Sequence, residues 1–152
     1  MTFRPPRTAD VPAGQLDFGI RVVPLEHPDE AVVPEGVVEV LPFLDTTAEL
    51  VPRTTHGRRS GRHQVAVDNR GNAPVTVLLA CADGTDELTF RVPEPHLVVD
   101  PGTARFSTVR VRPHRTFWRG PDKTLPFVVQ VAADNTVPVT LDMMIAHGAA
   151  VV

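Results

Sequence analysis

Apolar residues recur at every second position through most of this chain, and clusters of turn-forming residues interrupt them. Between residues 62 and 131 the alternating sets are Val65 and Val67; Val75, Val77, Leu79 and Cys81; Leu88, Phe90 and Val92; Phe127, Val129 and Val131. The breaks read Asn-Arg-Gly-Asn, Asp-Gly-Thr-Asp, Asp-Pro-Gly and Arg-Gly-Pro. Period-two alternation puts one side of each stretch in a core, and short strands separated by such turns predict an all-β sandwich. Strands are expected near 63–68, 74–82, 88–92, 97–99, 103–112 and 127–131. A last one is expected where Val137, Val139, Leu141, Met143 and Ile145 alternate. Phe106 is out of phase with Val109 and Val111, which predicts a bulge. No segment predicts a convincing helix: residues 139–146 could be helical in isolation, but their period-two alternation favours a strand.

Upstream the pattern loosens. Residues 1–15 read as an extended arm, and Leu16, Phe18, Ile20 and Val22 fall on one face of a strand over 16–23. Residues 24–36 hold three prolines and four acids and read as a linker. A second strand over 37–44 is interrupted by Pro42, which suits an edge strand or one that switches sheets. The expected division is therefore 1–36 as arm, strand and linker and 37–152 as the sandwich. A strand without a sandwich of its own must pack on this domain, a neighbouring subunit or a further domain, and it is a ready donor for strand addition.

Composition narrows the function. The net charge is −3 and the pI about 6.0, so no overall basic field points to nucleic acid. Sixteen prolines among 152 residues stiffen loops and oppose helix interiors. Tyr is absent and Trp118 is the only tryptophan, whereas sugar-binding surfaces use several aromatic platforms. Cys81 is the only cysteine, so no intrachain disulfide or multi-cysteine metal site forms. The N-terminal residues lack an apolar signal core, and no run of ~18 apolar residues occurs. The expectation is a cytoplasmic protein, with release as part of an assembly left open.

Four clusters carry possible chemistry. The run Arg53 to His63 holds four arginines (Arg53, Arg58, Arg59, Arg62) and two histidines. It reads either as a solvated loop or as a grip for an acidic partner, with the acidic 24–36 segment available in cis or in trans. Asp83, Asp86 and Glu87 share one turn without the alternate oxygen spacing of a calcium loop, so a surface turn is expected. The six histidines are dispersed and form no metal motif, and no cofactor is expected. His114 to Pro121 carries Phe117, Trp118 and Arg119, either as an exposed hot spot or as a plug on the core. For nucleophilic catalysis Cys81 lies mid-strand on an apolar face, where a thiol is inert, and no G-x-S-x-G elbow accompanies Ser60 or Ser107.

Val65–Asn72, Leu97–Gly102, Val109–Pro113 and Pro126–Val131 together resemble the bacterial immunoglobulin-like accessory sandwich, akin to fibronectin type III, found in glycosidases and cell-surface proteins. The strings GRRSGRHQVAVDNRGNAPVTV and FWRGPDKTLPF are also similar to uncharacterised actinobacterial proteins sometimes labelled hydrolytic, although no catalytic motif accompanies them. The resemblance implies an immunoglobulin-like antiparallel β-sandwich. The expected function is a non-catalytic structural or interaction protein that docks within a larger, possibly homo-oligomeric assembly. Its contact residues are Phe3, Leu16, Phe18 and Ile20 in the arm, Arg58, Arg59 and Arg62 in the basic loop, and Trp118 and Arg119 in the aromatic loop. The rival expectations are a carbohydrate or cell-surface polymer module and a small hydrolase.

Overall fold

The predicted alternation becomes inward and outward faces of two packed sheets. The structure, a computed structural model, describes residues 4–27, 29–56, 59–115, 123–133 and 144–151. Its strands are β1 (Gly14–Gly19), β2 (Glu35–Val40), β3 (Thr46–Val51), β4 (Thr54–His56), β5 (Gly61–Asn69), β6 (Val75–Ala82), β7 (Leu88–Arg91), β8 (His96–Val99), β9 (Thr103–Pro113), β10 (Thr124–Ala133) and β11 (Met144–Val151). One sheet has the order β3-β5-β9-β7 and the other β4-β11-β10-β6-β8. All neighbours run antiparallel except β4 and β11. This is an all-β immunoglobulin-like sandwich. The remaining strands, β1 and β2, pair with each other and with no other strand among the described residues.

The core fills the space between the sheets. Val65 and Val67 of β5, Val109 and Val111 of β9, Val77 of β6, Val99 of β8 and Val129 of β10 are all fully buried. Valine suits this position because its branched side chain packs well on a pleated surface. Phe127 is the largest buried side chain, with its ring 5.0 Å from that of His63 and 5.7 Å from that of Phe90. His63 was expected in a basic loop, but it points into the core with no exposure. Its Nδ1–H donates to the Pro52 carbonyl at 2.6 Å, which leaves Nε2 to accept from the Thr55 hydroxyl at 3.1 Å. Both polar atoms are satisfied, so the ring is accommodated as part of the core.

Three sequence expectations change. Residues 52–62 are not one loop: β4 crosses to the five-stranded sheet, and β5 begins at Gly61. β3 went unrecognised because Thr46, Thr47 and Glu49 leave only Ala48 and Leu50 to mark an inward face. The register of β5 against β9 runs unbroken from Gly61↔Val111 to Asn69↔Thr103, so there is no bulge. Phe106 simply faces outward, 62% exposed, while Ser107 takes the inward position. The last described strand is Met144–Val151, so of the expected alternating set only Ile145 is described and 137–143 lie outside the described residues.

Phe127→Ala removes the ring that joins the two sheets. It is expected to destabilise the fold by about 3–5 kcal/mol, measured as a shift of the urea midpoint at unchanged slope.

Candidate functional site

The sequence from 14 to 40 builds a two-stranded ribbon rather than a strand and a linker. β1 and β2 pair in the register Gly14↔Val40, Leu16↔Val38 and Phe18↔Gly36. Pairing continues past both strands: the Ile20 amide donates to the Pro34 carbonyl at 3.0 Å, and Val22 and Val32 exchange two bonds at 2.8 and 3.0 Å. The strand expected at 37–44 is thus the return strand of the ribbon, shifted to 35–40, and the expected linker holds its outer rungs and tip.

This register sorts the side chains. Leu16, Phe18, Ile20, Val22, Val32, Pro34, Val38 and Val40 fall on one face, because residues two apart and directly opposed share a side. The other face carries Gln15, Asp17, Arg21, Glu35 and Glu39 among a few valines. Phe18 lies over Gly36, where an added Cβ would meet the ring at 2.8 Å. Towards the tip the apolar residues face water: Leu25 is fully exposed, Val32 is 64% exposed and Val22 51%.

The root of the ribbon is held by the Asn-Arg-Gly-Asn turn after β5. Asn69, fully buried, donates from Nδ2 to the carbonyls of Ala73 and Val99, both at 2.9 Å, and accepts from the Gly71 amide at 2.9 Å. Asn72 accepts the Phe43 amide at 2.8 Å, donates to the Leu41 carbonyl at 3.2 Å, and its own carbonyl accepts from the Ala13 amide at 3.0 Å. Both chains entering the ribbon are therefore tied to one residue. Gly71 passes so close that a Cβ there would sit 2.5 Å from the Phe43 carbonyl oxygen. Arg7 stacks its guanidinium 5.0 Å from the Phe43 ring centroid and adds the N-terminal segment to the same junction.

The other expected site residues separate. Leu16, Phe18 and Ile20 come together on the ribbon face, each half-buried. Arg59 is exposed before β5, and Arg62 faces outward from β5 itself. Phe3, Arg58, Trp118 and Arg119 lie outside the described residues. Sequence reading missed that Arg62 has arginines beside it. Arg110 of β9 stands directly opposite Arg62, and Arg91 of β7 directly opposite Arg110. Strand register alone brings them together, and no spacing in one strand reveals it.

A hollow of about 310 Å³ is lined by Asp86, Glu87, Pro113, His114, Arg115 and Leu125. The Lys123 ammonium bonded to Glu87 holds its carboxyl below the usual range, opposite to the direction a general acid needs. The Asp83 carboxylate accepts the amides of Glu87 and Leu88 at 2.7 and 3.1 Å, which is turn chemistry. Burial pushes the Cys81 thiol up to about 11. No group of three His, Cys, Asp or Glu able to hold a metal is found among the described residues. No helix among them is long and apolar enough to cross a membrane.

Similarity to known proteins agrees at the level of fold. The chain overlays on part of a Salmonella alpha-2-macroglobulin variant with a TM-score of 0.51 and 21% identity, covering 91% of this chain and 8% of that one. An Escherichia coli alpha-2-macroglobulin gives 0.49 at 14% identity, again over 91% of this chain and 8% of the other. The periplasmic chaperone SfaE gives 0.45 at 11% identity over 69% of this chain and 56% of the chaperone. The chain thus spans less than a tenth of the macroglobulins and about half of the chaperone. Its fold is shared with the matched part of the Salmonella protein. No family model matches the sequence, and no curated protein does, so the expected likeness to actinobacterial proteins finds no support there.

Two expectations follow. Asn72→Ala leaves the Phe43 amide and Leu41 carbonyl without their partner; it should cost about 1–3 kcal/mol and speed amide exchange at the ribbon root more than in β9. With a thiol raised to about 11, Cys81 should react with a disulfide reagent at pH 8 roughly a hundredfold more slowly than free cysteine.

Proposed function

We propose that this chain is a non-catalytic interaction protein whose β-ribbon docks onto a protein partner. One observation carries this reading. The ribbon leaves the sandwich from a hydrogen-bonded root and shows water its apolar tip, including Leu25, Val22 and Val32. A two-stranded ribbon is marginal by itself, and its long edges keep open backbone donors and acceptors. A partner that adds a strand or covers the apolar face supplies what the ribbon lacks. The rigid root supports the same role, since a preorganised element loses less entropy on binding. Sparse aromatic residues disfavour a carbohydrate platform, and the lowered Glu87 carboxyl disfavours acid catalysis in the hollow it lines.

A photo-crosslinking amino acid at Leu25 or Val32, introduced into the full chain in its native host, should give a discrete covalent protein adduct. The same probe at Ala80, on the outward face of the five-stranded sheet, serves as the control. Absence of any adduct from both ribbon positions, with the protein folded, would overturn the reading.

A further inference from the structure

The outward side of the four-stranded sheet holds an arrangement that the fold itself does not favour. Arg62, Arg110 and Arg91 form one cross-strand row, and Arg112 follows two residues along β9, opposite Thr89. All four are exposed. Adjacent strands lie ~4.8 Å apart, so the row brings three guanidinium-bearing residues into a span of ~10 Å. Like charges directly opposed on neighbouring strands destabilise a sheet. The adjoining outward positions, Gln64, Thr108 and Thr89, carry no carboxylate to offset this. The sheet's outward carboxylates, Glu49 of β3 and Asp68 of β5, pair with Arg53 and Arg70 instead, and the remaining ion pair among the described residues joins Lys123 to Glu87.

The complementary charge is on the ribbon. Residues 14–40 carry six carboxylates (Asp17, Glu26, Asp29, Glu30, Glu35, Glu39) and a single arginine, Arg21, a net of −5 in a chain whose total is −3. None of those six forms an ion pair among the described residues. Among the described residues no ion pair joins the two surfaces within one molecule. The ribbon root is fixed at the Asn69–Asn72 end of β5, whereas Arg62 lies seven residues away at the other end, about 23 Å along the strand. The order of chemistry also matches. On the ribbon, the tip acids Glu26 and Glu30 adjoin exposed Val22 and Val32. On the sheet, Arg110 is followed four residues away, about 13 Å, by exposed Phe106.

We propose that the acidic ribbon tip of one copy seats on the Arg62–Arg110–Arg91 row of a second copy, with the tip valines against Phe106. This rests on the ribbon's being a docking element and adds the partner and the receiving surface. Donor and acceptor are different surfaces, so the contact is either doubled in a reciprocal dimer or repeated in an open head-to-tail chain. Being charge-led, it weakens as salt screens it.

The test is sedimentation velocity of the intact chain over a concentration series, at low salt and at about 0.5 M salt. The wild type should associate at low salt and dissociate at high salt. Arg91→Glu with Arg110→Glu, and separately Glu26→Lys with Glu30→Lys, should each weaken association about tenfold or more. Mixing the two variants should restore association, because each offers the other a reversed match. Arg110→Gln, at the centre of the row, should raise the thermal midpoint of the monomer while weakening association, a pairing of effects that damage to folding does not produce. A wild type that stays monomeric, or arginine variants that associate as well as it does, would overturn the proposal. So would a monomer whose arginine row instead retains it on a sulfated polyanion. In either case a crosslink from Leu25 to a different protein, unaffected by the arginine changes, would leave the ribbon's docking role standing.

Discussion

The hydrogen bonds of Asn69 and Asn72 decide where everything outside the sandwich goes. Backbone groups at the end of a sheet lose water as loops close over them, and each must find a partner. Asn69 satisfies three such groups inside the turn and on β8. Asn72 then reaches outward to Leu41 and Phe43 and takes up the Ala13 amide. An amide side chain suits this work because it donates and accepts at once. An acid would lose the donor to Leu41, and an alanine would lose both. Gly71 between them is required by space, since the Phe43 carbonyl occupies the position of a side chain. The ribbon can therefore stand away from the sandwich and still have a defined point of departure.

The two outer faces of the sandwich have opposite chemistry. On the five-stranded sheet the outward residues of β6, β8 and β10 include Leu78, Ala80, Ala82, Val98, Val128 and Ala132, with no Asp, Glu, Lys or Arg among those strands' outward positions. On the four-stranded sheet the outward positions gather arginine. An antiparallel sheet that faces water usually carries mixed polar residues. Here positive charge is concentrated on one face, while the negative charge is concentrated on the ribbon. The overall −3 conceals this segregation, which is why a judgement from net charge alone finds no electrostatic feature.

How much of this was legible in the chain depends on the range of the interactions involved. β5, β6, β7, β8, β9 and β10 follow from alternation of Val, Leu and Phe because each buries a full face against the same core. β3 and β4 did not, since a strand that contributes one or two inward residues leaves no period to read. The ribbon was half legible. Leu16, Phe18 and Ile20 showed the alternation of β1 and a second strand was expected at 37–44, but the prolines of 24–36 read as a linker and hid the pairing of the two. His63 looked like part of a basic loop because its neighbours are Arg62 and Arg59; only the core position of β5 shows that its ring is spent on Pro52 and Thr55. The arginine row was illegible in principle. Arg62, Arg91 and Arg110 are far apart in sequence, and the pairing that aligns them is a property of three strands together.

A conflict between local and global preference marks where function lies in a chain otherwise consistent with its fold. The valine core, the satisfied histidine and the asparagine turn all favour one arrangement. The departures are a ribbon with its apolar tip in water and a sheet face whose opposed arginines repel one another. Neither improves the isolated sandwich: shortening the ribbon or neutralising Arg110 would make a more comfortable monomer. A feature that costs stability in the free protein, and whose cost a single contact with an acidic, partly apolar element would remove, has the character of a binding surface. In this chain the element with that composition is its own ribbon.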